Sequence, residues 1–478
     1  MSVVIGCDSF LSLRNVRNGD LGRRLGNERV KILVDPNQYK GSQTVCPPGV
    51  ELDRLLEFDA HADPELSRLV QRSYYTRKCY YDPESIWIKF RASSYRNKVG
   101  LRRIASLAMA RYRLASNWVS GWLGFAQPRR RRVMQALRQH RISTEYRRLL
   151  SNWDAGVVVG MSPEGLREMA LVEAANELRI PTVVMIRSRD NLASKIQHLP
   201  EADAYLVWSD VTREFMLRMY PEIPPERVHV TGSPQFDHHL DPAYRLDRET
   251  FFAKVGLDPA RPLVVMTMST PGVNDHEIDI AQHLADAAHS GRFARSAQLL
   301  VRGHPRMFGS DVRLLRQEYK EARAYPPPSP PSYRGREHEE ELVRLILEDE
   351  PVHLATLAHQ DVQVNVSGTM TIDSAIFDKP TVNIYYDLLP DIPAGLSVRR
   401  SYRRTDIRQM MSYGVSRLAH DPDECIRLIN RYLDDPTVDA AGRARARAGE
   451  CGPLDGQAGA RIARAIELVA LRNVPCSV

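Results

Sequence analysis

Short runs of apolar and β-branched residues recur along this chain at a spacing that a parallel sheet with covering helices absorbs and few other folds can. One series is Val3–Ile5, Lys31–Asp35, Ala155–Gly160, Pro181–Ile186, Ala204–Trp208 and Val228–Val230; a second is Leu263–Met268, Leu299–Arg302, Val362–Val366 and Thr381–Asp387. Strands buried on both faces read as continuous apolar runs without alternation, and these do. Between them lie stretches of helical spacing, such as Gly165–Leu178 and His276–Ala288. Two such series predict an α/β fold with two Rossmann-like, doubly wound domains facing across a cleft. The Pro/Asp-rich passage around 235–255 places the boundary, giving domains of residues 1–240 and 241–440 and a helical tail over 441–478.

Local signals fill in the rest. A loop is expected from Asp8 to Asn18, a helix near Gly19–Leu25, a helix and loop from Glu51 to Pro64, and a helix from Ser67 to Tyr81. Ser162 with Pro163 reads as a helix start, and Ser209 as the cap of the helix that ends before Pro221. Leu342–Glu348 and Leu354–His359 read as two short helices, and the Pro-rich 324–336 passage as an extended surface insertion. No G-x-G-x-x-G follows the first strand. The six cysteines form no C-x-x-C pair, so free thiols and no structural metal are expected, with His238-His239 a doublet in a loop. No apolar run reaches about 18 residues. The start lacks a basic segment followed by an apolar one, so the chain is expected in the cytoplasm.

Candidate functional residues fall in loops after strands, where ligands of open parallel sheets bind. Val362–Val366 runs into Ser367-Gly368-Thr369 and a helix. Ser367 or Thr369 as N-cap, with the free N–H groups behind it, would make an anion site. Asp373, one turn on, can meet ribose hydroxyls or complement the helix dipole. The run before Gly303 delivers Arg302, His304 and Arg306, and Ser269-Thr270 opens another polar loop that holds Asp275 and His276. The basic loop and the helix-capping turn are expected to form a diphosphate clamp. In the first half, Arg189, Asp190, Asn191, Ser194 and Lys195 crowd one strand end and Asp8 stands at another. An acceptor hydroxyl needs a general base; Asp275, His276, Asp190 and Asp8 are the candidates.

The formal charge of +7 is unevenly spread. Between 97 and 148 thirteen Lys and Arg residues face a single acid, Glu145, and are mixed with Ile104, Leu107, Met109, Tyr112, Trp118, Trp122 and Phe125. A basic, Trp-containing helical insertion of this kind suits the surface of an anionic membrane, or a polyanionic acceptor, better than nucleic acid, for which no module is present. A solvated helix packed on its own domain is the plain alternative.

The ordered set Asp190-Asn191-Leu192-Ala193-Ser194-Lys195, Thr231-Gly232-Ser233-Pro234-Gln235-Phe236-Asp237, Arg302-Gly303-His304-Pro305-Arg306, Asn365-Val366-Ser367-Gly368-Thr369 and Lys379-Pro380 resembles the GT-B glycosyltransferases. Within them it is similar to the branch of CDP-glycerol glycerophosphotransferase-like and capsule-type transferases. The resemblance spans about Gly156 to Asp387 and the C-terminal helices. It implies that the His-Pro and Ser-containing loops hold the donor's phosphates and nucleotide. A sugar or glycerophosphate-like group would then pass from a nucleotide-activated donor to a cell-surface glycan or its lipid-linked precursor. No cofactor and no obligatory metal are expected. This sequence has Ser-Gly-Thr where the teichoic-acid enzymes carry a longer serine run, which puts a sugar donor at least level with a glycerophosphate one. Two other readings stand beside it: a non-catalytic subunit of an envelope polysaccharide complex, and a sugar-nucleotide 2-epimerase, whose chemistry needs a set of acids around the sugar.

Overall fold

The protein is seen here as a computed structural model that describes residues 2–43, 46–47, 49–58, 63–161, 165–188, 190–192, 198–270, 274, 276–304, 319–325 and 339–471, with 339–344 described by backbone only. Two parallel sheets carry the architecture. The first holds β1 (Ser2–Cys7), β2 (Val30–Val34), β3 (Glu51–Arg54), β4 (Ala155–Gly160), β5 (Thr182–Met185), β6 (Ala204–Val207) and β7 (Val228–Val230), in the order β3-β2-β1-β4-β5-β6-β7. The second holds β8 (Leu263–Thr267), β9 (Gln298–Arg302), β10 (Ala322–Tyr325), β11 (Val362–Asn365), β12 (Thr381–Ile384) and β13 (Arg417–Ala419), in the order β10-β9-β8-β11-β12-β13. Val3 lies between Val30 and Val157, and Val264 between Leu299 and Val362, so the β-branched runs pair with one another in register. Apolar clusters on both faces of each sheet bury these strands, as their unbroken hydrophobicity requires.

Each sheet reverses its winding once, between β1 and β4 and between β8 and β11. A crevice opens at the carboxyl ends of the strands at such a switch point. The loops that begin at Asp8, Ser269 and Ser367 therefore stand at the two places where this topology leaves room for a ligand.

The chain then returns to where it began. Helix Ala458–Leu471 packs Ile462, Ile466 and Val469 into the core of the first sheet beside Ile5, Val159 and Leu206. Its start is held by Asp237, whose carboxylate accepts from the N–H groups of Ala458 (3.1 Å) and Gly459 (2.9 Å). Gly459 is seated on the backbone of Gly19: a Cβ there would lie 2.2 Å from the Gly19 carbonyl oxygen. Only glycine allows so close an approach.

Several local expectations are corrected. Asp8–Asn18 is no loop: Ser9 caps a helix over Phe10–Asn18, accepting from the Ser12 N–H, and Leu13 and Val16 are buried beneath it. Glu51–Arg54 is the charged edge strand β3 and not a helix. The two short helices after 340 are one, Glu339–His359, which runs through Pro351. Packing of Leu347, Val352, Leu354 and Ala355 on both sides of the proline outweighs its lost hydrogen bond. Ala324 and Tyr325 belong to β10 and not to a surface insertion. His238 and His239 are buried on helix Pro234–Leu240 and not in a loop. The Ser209 cap forms, accepting from Thr212 N–H; the Ser162–Pro163 helix start lies outside the described residues. The five described cysteines are free thiols.

The basic insertion over 97–148 is helical, built from Gly100–Trp122, Ala126–Gln139 and the start of Arg141–Asn152, and it follows helices Pro64–Tyr81 and Pro83–Asn97. Helix Gly100–Trp122 buries Ala110 and Gly121 and seats Gly121 tightly against Tyr80. Its opposite side is apolar and faces outward: Leu101, Ile104, Tyr112, Val119 and Trp122 follow at helical spacing and all are exposed, as are Leu123 and Phe125 just beyond. No described helix is long and apolar enough to cross a membrane.

Candidate active site

At the second switch point, the loop after β8 is ordered by an acid that sequence spacing did not single out. Glu277 opens helix Glu277–His289, where a carboxylate complements the dipole, and it is buried. It accepts from the Ser269 N–H (2.5 Å), the Ser269 hydroxyl (2.6 Å) and the Asn274 amide (3.1 Å). The next residue reaches the neighbouring loop: Thr270 Oγ1 and His304 Nε2 are 3.1 Å apart. Two of the expected donor loops are thus joined side chain to side chain.

The Ser367-Gly368-Thr369 turn lies beside them at the end of β11. Ser367 and Gly368 are half-buried, Thr369 is exposed, and a Cβ built on Gly368 would meet nothing within 4 Å, so the turn faces open space. The expected cap is not formed: Thr369 holds the cap position with helical backbone angles and neither hydroxyl makes a capping bond. What fixes the helix start is a buried polar knot beneath it. Asn383 donates to Asn365 Oδ1 and to Thr371 Oγ1 (3.2 Å), Asn365 and Thr371 are 3.3 Å apart, and the Ser416 hydroxyl donates to Asn383 Oδ1 (2.5 Å). The Thr371 and Ile372 N–H groups are taken up by the Gly368 and Thr369 carbonyl oxygens (3.2 and 2.8 Å), so the backbone N–H groups an incoming anion can meet are those of the turn ahead of them, up to Met370.

Arg302 and Asp373 sit elsewhere than expected. The Arg302 guanidinium is buried, bonded to Asp349 (2.6 Å) and laid over the Tyr325 ring, so it props the β9 end against helix Glu339–His359. Burial pushes the Asp349 carboxyl up against the opposing pull of that guanidinium. Asp373 is buried between the two halves, 3.9 Å from His239, and burial pushes its carboxyl up to about 7. Its surroundings are thus a histidine and the nearby Arg14, and not an open ribose site.

The first switch point carries Asp8. Its carboxylate pairs with Arg167 (3.1 Å), which also grips Asp35 (2.6 Å), and its N–H donates to the buried Glu168 (3.2 Å). Arg187, at the end of β5, bonds the Ser9 hydroxyl, and Ser188 donates to Asp190 (2.5 Å). Asn191 is fully buried and His276 half-buried at its helix start. Asp275, Arg306, Arg189, Ser194 and Lys195 lie outside the described residues.

Between the halves, helix Phe10–Asn18 meets helix Glu339–His359 around Glu350. Asn18 donates to Glu350 (2.7 Å), His238 lies 3.4 Å away and Arg17 3.4 Å on the other oxygen. Burial alone would raise this carboxyl, but His238, Asn18 and Arg14 together hold it at about 2. Arg14 also donates to Gln235. These contacts require residues 10–18 to be helical, and the loop expected from Asp8 to Asn18 gives none of them.

No family model matches the sequence, and no curated protein does. Solved structures do share the fold. An S. aureus MnaA–UDP co-structure superposes with a TM-score of 0.53 at 11% identity, covering 99% of this chain and 98% of that one. A UDP-GlcNAc 2-epimerase from Methanocaldococcus jannaschii gives 0.51 at 11% identity over 98% and 99% of the two chains. The UDP-GlcNAc 2-epimerase of Neisseria meningitidis, bound to UDP-GlcNAc, gives 0.50 at 10% identity over 99% and 100%. This is the two-sheet GT-B arrangement, spanning the whole chain. The CDP-glycerol branch finds no counterpart among these structures.

Proposed function

We propose that the protein is a nucleotide-sugar enzyme of the GT-B type, a glycosyltransferase that moves a sugar, or a glycerophosphate-like group, onto a cell-surface glycan or its lipid-linked precursor. The observation that carries this reading is the union of Thr270 with His304 beside the open Gly368 turn, at the switch point of the second sheet. As the bond to the donor breaks, negative charge gathers on the leaving phosphate. The backbone N–H groups of the Gly368-Thr369-Met370 turn and the His304 imidazole would stabilise it. The Glu277 contacts hold the Ser269 loop in place, so little reorganisation is needed when the donor arrives. Across the cleft, Asp8 and Asp190 stand at strand ends of the acceptor side, and either could take the proton of the acceptor hydroxyl. Uridine nucleotides head the donor list because two of the structures that share this fold hold UDP or UDP-GlcNAc.

A second reading, 2-epimerisation of a UDP-sugar, is favoured by the names of those same structures and by the buried acids Glu168 and Glu277 near the strand ends. Against it, the Glu277 carboxylate is already taken up by the Ser269 N–H and hydroxyl and the Asn274 amide. One experiment separates the two: the UDP-sugar is incubated in D2O without acceptor and followed by NMR. An epimerase exchanges the C2 hydrogen for deuterium and yields the C2 epimer. A transferase leaves C2 protonated and releases UDP only when a glycan acceptor is added.

The acceptor side would work at a membrane. We infer that helix Gly100–Trp122 rests on an anionic bilayer. Its apolar residues face outward at helical spacing, with Arg102 and Arg113 on one flank and Arg111 on the other. That arrangement lies in a membrane surface with the apolar side down and the arginines among the headgroups.

A further inference from the structure

Three side chains that sequence spacing could not associate meet between the two halves. His239 comes from helix Pro234–Leu240, which packs on helices Phe10–Asn18 and Ala458–Leu471 of the first half. His353 comes from helix Glu339–His359, and Asp373 from helix Met370–Ile376, both in the second half. One ligand atom from each lies within 4.8 Å of the other two. We propose that His239, His353 and Asp373 bind one zinc-class divalent cation, which clasps the two sheet-bearing halves together.

Orientation of His239 is the first support. Its Nδ1 lies 2.7 Å from the Gln235 carbonyl oxygen, a contact that only an Nδ1–H donor can make. The lone pair is therefore on Nε2, and Nε2 is buried with no hydrogen-bond partner. It points at Asp373 Oδ1, 3.9 Å away. Backbone fixation of the far ring nitrogen is the usual way a ligating histidine is held.

Surroundings are the second. Only 6% of His239 and 8% of Asp373 is exposed, and the Phe236 and Phe377 rings flank the imidazole at 5.4 and 5.9 Å. No hydrogen bond reaches the Asp373 carboxylate among the described residues. A buried imidazole lone pair set against a buried carboxylate repels unless a proton or a cation stands between them. At 3.9 Å the pair is too far apart for a direct hydrogen bond and close to the separation of two ligands on one ion.

Donor identity selects the ion. Two imidazoles and one carboxylate suit zinc, cobalt(II) or nickel(II), whereas magnesium and calcium prefer oxygen alone. Three protein ligands leave a fourth position open. Arg14 acts electrostatically on all three residues and Arg302 on His353, so an anion in that place would offset the positive charge gathered around the cation.

The test uses the full chain, purified without an oligohistidine tag and treated with chelator. Zn2+, Co2+ and Mg2+ are titrated separately, with bound metal counted by mass spectrometry, the melting temperature recorded, and the visible spectrum of the Co2+ form taken. Expected are one tightly bound Zn2+ or Co2+, a raised melting temperature, the visible bands of a low-coordinate Co2+ site, and no response to Mg2+. His353→Ala, at a half-buried position, and the isosteric Asp373→Asn should each weaken binding at least about 100-fold, while their metal-free melting temperatures stay near that of the metal-free parent. The proposal is overturned if the parent binds no Zn2+ or Co2+. It is also overturned if both variants bind as the parent does, or if Mg2+ alone stabilises it. None of these readouts depends on sugar transfer, so the cation site and the transferase reading fail separately.

Discussion

Replacing Leu101, Tyr112 and Trp122 together by serine would remove the outward apolar face of helix Gly100–Trp122 without touching the core. These residues are 83%, 68% and 65% exposed, so nothing in the fold depends on them. Full burial of a large apolar side chain is worth about 2 kcal/mol. A helix lying in the headgroup layer sinks only part of each side chain, so about 1 kcal/mol per residue is a fair figure. The triple variant then loses about 3 kcal/mol of membrane binding, or about 150-fold in partition coefficient. Sedimentation with sucrose-loaded vesicles measures this directly, with one lipid mixture zwitterionic and the other containing a third anionic lipid. The parent should bind the anionic vesicles, lose most of that binding in high salt as its arginines are screened, and bind zwitterionic vesicles weakly. The triple variant should stay in the supernatant with an unchanged melting temperature. Equal partitioning of parent and variant, or no binding of the parent to anionic vesicles, would refute the reasoning.

Two stability predictions follow from the fold. Gly459→Ala puts a Cβ against the Gly19 carbonyl, which is backbone and cannot swing aside; a loss of about 1–3 kcal/mol in denaturant unfolding is expected, and an unchanged midpoint would contradict the packing of the returning helix. Glu173 is fully buried, and burial pushes its carboxyl up to about 7 although Arg138 lies 2.9 Å away and pulls the other way. The folded protein holds that proton more tightly than the unfolded chain, so this group costs stability as pH rises from about 4.5 to about 7. Glu173→Gln should therefore gain on the parent across that window, by about 3 kcal/mol at its upper end; parallel pH–stability curves for the two proteins would count against it.

The strands were legible because burial on both faces forces β-branched, unbroken runs, and Val157–Val159 or Leu263–Met266 have no other comfortable place. The charged edge strand β3 was not, since Glu-Leu-Asp-Arg carries no such signature and owes its conformation to pairing with β2. Helix Phe10–Asn18 had its cap in Ser9 and apolar residues at Leu13 and Val16, but two asparagines and two arginines in nine residues masked the period. That omission hid Arg14, Asn18 and the Glu350 junction. Pro351 split one helix into two on paper because local geometry forbids what tertiary packing sustains. Loop positions at Ser269, Thr270, His304 and Ser367 could be named from the strands that precede them. The partners could not: Glu277 reads as one more helix residue, and the His239, His353 and Asp373 set is scattered over 135 positions of sequence.

The most direct test of the nucleotide-sugar reading is calorimetric titration of UDP, CDP, GDP and dTDP into the parent protein and His304→Ala. One nucleoside diphosphate, uridine first, should bind saturably to the parent. The variant should bind it at least about tenfold more weakly, the loss of one hydrogen bond to a charged phosphate. Absence of binding by every nucleotide, or equal binding by His304→Ala, would contradict the assignment of the second switch point as the donor site.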